Sequence, residues 1–269
     1  MTDTYRTQHV LEHYREQAQE HGLEPTSTML DLTTRELEIE AILECLEHAL
    51  KGSDGQASLL EVGCGNELLL ETMRDRFSTI EMTGVDYSPE MVALASQRNI
   101  RNCTVRQEDV RSLSSPSGTF DVAVAERCII NLPDEAAQAD ALKELHRVLA
   151  PGGHLVLIEA FADGLANLNL ARTQLGLPEN VVPDFNLWIH REALLTAIDG
   201  LFEVVSDVDA GALPGRNFLS THYFISRVLY PAVTTREILH NTEFVKFFRF
   251  LPPQGDFSPI QLYFLRKLG

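Results

Sequence analysis

Cysteine, tryptophan and positive charge are all scarce in this chain. Four cysteines (Cys45, Cys64, Cys103, Cys128) are scattered through 269 residues with no CxxC pair. That excludes the close thiol spacing of zinc and redox motifs, so no metal is expected and the thiols read as free in a reducing compartment. No apolar run approaches the roughly 20 residues that span a bilayer. The opening residues 1–17 are polar and lack a basic-then-apolar leader, so a cytoplasmic protein with no membrane partner is expected. Lysine and arginine total 22 against 39 aspartates and glutamates, a formal net charge of −17. A field of that sign repels phosphate backbones and acidic lipid surfaces, so no nucleic-acid partner is expected. Internal repeats and low-complexity segments are absent, and nothing in the pattern sets an oligomeric state.

What is present is an ordinary globular composition, 44% hydrophobic, at a length suited to one large α/β domain. The first fifty residues read as two helices, broken between Gly22 and Thr28. The second starts near Thr33-Thr34 and carries Leu37, Ile39, Leu43 and Leu46 at helical spacing. After a loop at Gly52–Gly55 the pattern alternates. Strands are expected at 57–62, near 83–85, at 104–106, 120–125 and 154–160, with helices at 68–77, from Ser88-Pro89 onward, and at 134–149. Two further strands are expected at 202–209 and 260–265. Strand and helix in alternation predict a Rossmann-like, mostly parallel seven-stranded sheet with helices on both faces. Such sheets bind ligands beyond the carboxyl ends of their strands, so the chemistry should sit in the residues that follow each strand.

The first strand runs into Glu61-Val62-Gly63-Cys64-Gly65-Asn66-Glu67. A glycine turn there brings backbone close to a ligand. Leu68 holds the place of the third glycine of a dinucleotide fingerprint, which argues against an NAD-dependent oxidoreductase. An acid just before the first glycine, Glu61, suits an amine-bearing ligand better than a pyrophosphate. The second strand ends at Asp86, whose carboxylate can accept both hydroxyls of a ribose. The third leads to Glu108-Asp109-Val110, where Asp109 can take the exocyclic amine of adenine while Tyr87 and Val110 flank the ring.

As a set, Leu59–Gly65 (LLEVGCG), Gly84–Ser88 (GVDYS), Glu108-Asp109 and Leu149–Gly153 (LAPGG) resemble the successive motifs of class I S-adenosylmethionine-dependent methyltransferases. The resemblance covers about residues 57–160. It implies S-adenosylmethionine as cofactor, with Gly63, Cys64 and Gly65 facing its methionine part, Glu61 near its amino group, Asp86 on the ribose and Asp109 on the adenine amine. Many members carry a further glycine where this chain has Glu67. Glu126 and Arg127, just past the fourth strand, fall beside the expected methyl group, where one of them touches substrate or cofactor or the two form a structural ion pair. The resemblance also implies that residues 1–52 form a helical lid, with Tyr14 over the cofactor. Residues 53–269 would then be the sheet domain, with pocket-forming insertions about 161–187 and 210–256.

Shorter stretches (residues 27–31 with 35–38, 126–127 with 130–132, 223–227 and 255–259) resemble a bacterial subgroup associated with polysaccharide and secondary-metabolite pathways. That similarity suggests a small-molecule acceptor, first a sugar or sugar-nucleotide hydroxyl. In the late insertion, Tyr223, Arg227 and Arg249 are candidate acceptor-binding residues, since arginine pairs carboxylate or phosphate. His222 and His190 are candidate bases, each also readable as a structural histidine. The alternatives are N-methylation of an amino sugar or amino acid, and a protein that binds the cofactor without turnover.

Overall fold

The computed structural model describes residues 3–51, 57–205, 213–235 and 240–269. Two helices come first, α1 (Asp3–His21) and α2 (Leu32–Ala49). The alternation then runs β1 (Ser58–Val62), α3 (Leu68–Arg76), β2 (Glu81–Asp86), α4 (Pro89–Ala95), β3 (Cys103–Gln107), β4 (Phe120–Glu126), α5 (Glu135–Val148) and β5 (Leu149–Ala160). Next come α6 (Ala162–Gln174), α7 (Arg191–Ile198), β6 (Phe202–Val204), α8 (Ser220–Phe224), α9 (Tyr230–Val233), α10 (Glu243–Phe247) and β7 (Ile260–Lys267). Among the described residues the strands form one sheet in the order β3-β2-β1-β4-β5-β7-β6. Pairing is parallel from β3 through β5, and β7 runs antiparallel to both β5 and β6.

Local chemistry accounts for most boundaries. Ser88 caps α4 by accepting the Met91 N–H at 3.2 Å, with Pro89 in the first helical position. Asp134 caps α5 in the same way, through Ala137 N–H at 2.7 Å. The start of α2 lies earlier than Thr33-Thr34 predicts. Asp31 is the cap, accepting Thr34 N–H at 3.1 Å, and Leu32 opens the helix. The fifth strand also begins earlier than expected, because Leu149 pairs with Phe120 before Pro151-Gly152-Gly153 and regular pairing resumes at Val122 with His154. Residues 52–55, 206–209 and 210–212, which carry one expected loop and parts of an expected strand and insertion, lie outside the described residues.

The sheet is buried on both faces, by α5 and α7 on one side and α2, α3 and the late helices on the other. The switch in strand order falls between β1 and β4, where helices leave on opposite sides and a crevice opens at the strand ends. The segment expected as a lid divides in two. In α2, Ile42, Cys45 and Leu46 are wholly buried against the sheet. Only α1 crosses the crevice, tied down by Arg6 Nη1 on the Pro133 carbonyl at 2.9 Å and Arg15 Nε on Glu90 at 2.9 Å.

Candidate active site

Beyond the ends of β1, β2 and β4 lies a cavity of about 400 Å³, within the size range of small-molecule sites. Its floor begins at the turn after β1. Gly63 has φ +69° and Gly65 φ +52°, the left-handed region that side chains disfavour. A Cβ on Gly63 would stand 2.8 Å from the Cβ of Cys128, so only glycine lets the β1 and β4 turns approach each other. Glu67 also lies in the left-handed region, at φ +62°, in the place where the family resemblance expects glycine. Its carboxylate turns away from the cavity and accepts from the Cys103 thiol at 3.3 Å.

Burial pushes the Glu67 carboxyl up to about 7. Its folded value exceeds the ordinary glutamate value, so its stability contribution is complete below about 4.3 and is lost as pH rises through about 7. Glu67→Gly is therefore expected to gain about 1 kcal/mol at pH 8 through relief of left-handed strain. It should also flatten the decline in stability between pH 5 and 8. Urea denaturation at both pH values checks this, and an unchanged slope would refute the assignment to Glu67.

Glu61 is buried at the end of β1 and lines the cavity, with Oε2 lacking any hydrogen-bond partner. Burial raises its carboxyl well above the usual range, and Glu126 and Glu67 add to this. Asp86 ends β2. One of its oxygens accepts Gly65 N–H at 2.9 Å and the other Ser88 N–H at 2.8 Å. Each oxygen keeps a second lone pair, so the carboxylate is held in place and still able to accept two hydroxyls. Asp109 meets a fork from Arg111, with Nη2 on Oδ2 at 2.7 Å and Nε on Oδ1 at 3.0 Å. Burial opposes its charge, yet these bonds hold the carboxyl below its ordinary value. Tyr87 and Val110 line the same end.

At the other end, Glu126 and Arg127 pair through Nη2 and Oε1 at 2.8 Å and both line the cavity. Arg127 adopts φ +50°, a strained conformation for a residue with a side chain. Behind them the wholly buried Glu38 of α2 stands 3.5 Å from Arg127 Nε. Glu159, at the end of β5, holds the turn that follows. Its oxygens accept the N–H groups of Cys128 (3.0 Å), Ile129 (2.7 Å) and Ile130 (3.4 Å). Burial raises its carboxyl to about 8 even against these three donors.

Tyr14 of α1 lines the cavity, its hydroxyl accepting from Asn131 Nδ2 at 3.0 Å. Asn131 accepts in turn from Asn186 Nδ2 at 2.8 Å. This chain of bonds joins α1, the turn after β4 and the loop after α6. The expected insertion at 161–187 thus reaches the cavity through Pro183, Phe185 and Asn186. The described part of the insertion at 210–256 contributes none of its lining.

The late-insertion candidates stand elsewhere, for electrostatic reasons. His222 is buried with Nε2 3.2 Å from Asp31, and Arg227 donates to the same carboxylate oxygen at 2.7 Å. Burial works against the Asp31 charge, but these two partners and the Thr34 N–H hold its carboxyl well below the usual range. His222 and Arg227 therefore tie the late helices to the start of α2. Tyr223 packs under Arg227, whose guanidinium lies 5.4 Å from the ring centre. Arg249 is engaged by Glu36 and Glu40 of α2. His190 is exposed at the start of α7 and does not line the cavity. None of these five lines the cavity. In a chain so rich in acids, Arg227 and Arg249 each find a carboxylate that topology brings near.

Two more residues line the cavity, Arg35, from a stretch whose subgroup resemblance assigns it no role, and His13, from no singled-out stretch. Arg35 of α2 is buried at the cavity wall, with Nη2 on the Ser27 carbonyl at 2.9 Å and on Thr28 Oγ1 at 3.2 Å. Its Nε has no hydrogen-bond partner. His13 of α1 lies against Phe185 with ring centres 4.3 Å apart. Helical spacing alone would have found Val10 and Tyr14 on one face, but not what that face covers. Among the described residues no helix is long and apolar enough to cross a membrane, and no three side chains converge as metal ligands.

The model of the family described as "Methyltransferase domain" matches residues 60–157. Demethylmenaquinone methyltransferase of Thermus thermophilus is 35% identical over 104 residues, covering 38% of this chain and 46% of that one. Malonyl-[acyl-carrier protein] O-methyltransferase of Enterobacter lignolyticus is 32% identical over 145 residues, 54% of each chain. The chain spans about half the length of the curated relatives it matches. In fold it is similar to the N-methyltransferase NodS from Bradyrhizobium japonicum, at 19% identity and TM-score 0.54, over 97% of this chain and 98% of that one. Phosphoethanolamine N-methyltransferase 1 of Haemonchus contortus gives a TM-score of 0.62 at 13% identity, over 100% of this chain and 50% of that one.

Proposed function

From a chain that carries a class I S-adenosylmethionine-dependent methyltransferase domain, we propose that the protein transfers a methyl group from S-adenosylmethionine to an oxygen or nitrogen of a small acceptor. One observation carries the reading. Gly63, Gly65, Asp86 and Asp109, which follow three successive strands, line a single cavity that α1 covers.

The residues fit the cofactor group by group. The partnerless Oε2 of Glu61 suits its amino group, and Arg35 suits its carboxylate. Asp86 has a free lone pair on each oxygen for the two ribose hydroxyls. Asp109 takes the adenine amine alongside its bonds to Arg111, with Tyr87 and Val110 beside the ring. When bound, the cofactor supplies a methyl group on a sulfonium, already activated for transfer. The protein then has mainly to orient the acceptor and exclude water. Tyr14 and Asn131 hold α1 across the opening, and Glu126 with Arg127 set the charge at the cavity floor.

The sugar or sugar-nucleotide hydroxyl rests on the subgroup resemblance alone; Arg227 and Arg249, the candidates for fixing an anionic group, are bound to carboxylates and do not line the cavity. Isothermal titration with S-adenosylmethionine and S-adenosylhomocysteine tests the central reading. Micromolar binding is expected for both, and failure of either to bind folded wild-type protein would sink it. Arg35→Met should weaken S-adenosylhomocysteine about 10- to 100-fold, the worth of one charge-assisted pair. Unchanged affinity would remove Arg35 from the site.

A further inference from the structure

The lining of the cavity combines a charged set of side chains with an apolar one. Near the cofactor positions Asp86, Asp109 and Glu126 already have partners, and Glu61, whose Oε2 has none, is given to the cofactor's amino group in the methyl-transfer reading. Asp86 accepts two backbone N–H groups, Asp109 is forked by Arg111, and Glu126 is held below its ordinary value despite burial, by Arg127 and Arg35. A carboxylate so stabilised is a weak base. The apolar set is Val10, Leu11, Ile130, Leu132, Pro183 and Phe185. Tyr14 lines the cavity as a phenol, its ionisation opposed first by burial and then by the Asp86 charge. Of the paired cations of the cavity, Arg111 serves Asp109 and Arg127 serves Glu126 and Glu38. With Arg35 given to the cofactor's carboxylate, the apolar set offers little to a phosphate or carboxylate and much to an apolar body.

His13 also lines the cavity and stands against this apolar set. Its ring is stacked on Phe185 (4.3 Å, 24° between planes) and meets Tyr14 edge-on at 5.3 Å, so two contacts fix its orientation. Among the described residues no hydrogen bond engages either ring nitrogen. Burial holds the imidazole below its ordinary value, with Glu16 on the same helix opposing. From another element, Phe185 after α6 is stacked on it; the acid beside Phe185 in the chain, Asp184, is exposed. A histidine of this kind is neutral at physiological pH, with a nitrogen ready to accept a proton.

We propose that the apolar set of the cavity lining takes a neutral hydroxyl compound with an apolar body, and that His13 is the base that removes the hydroxyl proton. The proposal rests on the methyl-transfer reading and gives its acceptor class and its base. As the acceptor oxygen forms its bond to the methyl carbon, the S–CH3 bond breaks and its electron pair stays on sulfur. The hydroxyl proton passes to the ring nitrogen of His13, and the resulting imidazolium returns it to solvent at the cavity mouth. An amine acceptor, arriving neutral, would need no such base.

The test uses the full chain, wild type and His13→Asn, with phenol, catechol, 2-naphthol and cyclohexanol as probes and aniline and cyclohexylamine as amine controls. S-adenosylhomocysteine affinity by calorimetry should agree within about twofold between the two proteins, which shows the variant folded. Methyl transfer from labelled S-adenosylmethionine should reach hydroxyl probes, with kcat/KM rising through a pKa below about 6.5. That pKa should match the His13 resonance in an NMR titration of histidine-labelled protein. His13→Asn should lower kcat about 10²- to 10⁴-fold and abolish the acid limb. A retained rate or limb in the variant overturns the base. Cofactor binding with neither turnover of any hydroxyl probe nor a shift of the His13 resonance overturns the acceptor class. Failure of wild type to bind the cofactor instead overturns the underlying reading.

Discussion

Asp86→Ala is expected to weaken S-adenosylhomocysteine binding at least a hundredfold. Asp86 sits at the end of β2 with each oxygen fixed by one backbone N–H, from Gly65 and from Ser88. Two ribose hydroxyls donating to the same carboxylate add two charge-assisted bonds, each worth about 1.5–3 kcal/mol. Their loss is at least about 3 kcal/mol, or roughly a hundredfold in affinity. The alanine variant also leaves the Gly65 N–H without its acceptor, which loosens the turn that the methionine part would lie against. Asp86→Asn keeps the shape and one acceptor oxygen, so a smaller loss, about tenfold, is expected of it. Calorimetry with both variants, alongside circular dichroism to confirm folding, decides the matter. Wild-type affinity in a folded Asp86→Ala protein would mean that the ribose is held elsewhere.

The second large effect is one of stability. Glu159 is completely buried and serves three N–H groups of the turn at 128–130, which carries Arg127 on one side and Asn131 on the other. Glu159→Leu removes the acceptors and strands three donors in an apolar interior, where each unpaired group costs about 1–3 kcal/mol. Partial relaxation of the turn reduces the sum, and a loss of about 3–5 kcal/mol is expected, equivalent to a Tm drop on the order of 10 °C. Glu159→Gln retains one acceptor oxygen but turns its amide N–H groups onto a donor, so it should lie between leucine and wild type. Urea unfolding monitored by circular dichroism gives the ordering. Cofactor affinity should fall in parallel, because the displaced turn carries Arg127 into a new position. A leucine variant that unfolds at the wild-type midpoint would show that the turn holds its shape without this carboxylate.

Glu159, Arg35 and His13 share a history in the chain. None stands in a motif that spacing could flag. Glu159 reads as one more residue of a buried strand, Arg35 as an ordinary residue early in an amphipathic helix, and His13 as a surface histidine. Their roles exist only once β5 is laid beside β4, α2 against the sheet and α1 across the crevice. His222, Arg227 and Arg249 show the converse. Their charge and aromatic company marked them as acceptor contacts, yet Asp31, Glu36 and Glu40 lie nearer to them than any part of the cavity does.

The sequence by itself determined the alternation of strands and helices from β1 through β5, the mostly parallel sheet, the glycine turn after β1 and the acids that end β2 and follow β3. Each of these depends on period, capping or backbone freedom within a few neighbouring residues, and such local preferences survive in any tertiary context that lets the elements form. Tertiary structure alone decided which carboxylate each arginine serves, which helix of the first fifty residues covers the crevice and which histidine faces the cavity. Those outcomes turn on contacts between residues as much as two hundred positions apart, such as Arg227 with Asp31. A charge pairs with whatever opposite charge the fold brings within a few ångströms, and no spacing along the chain encodes that.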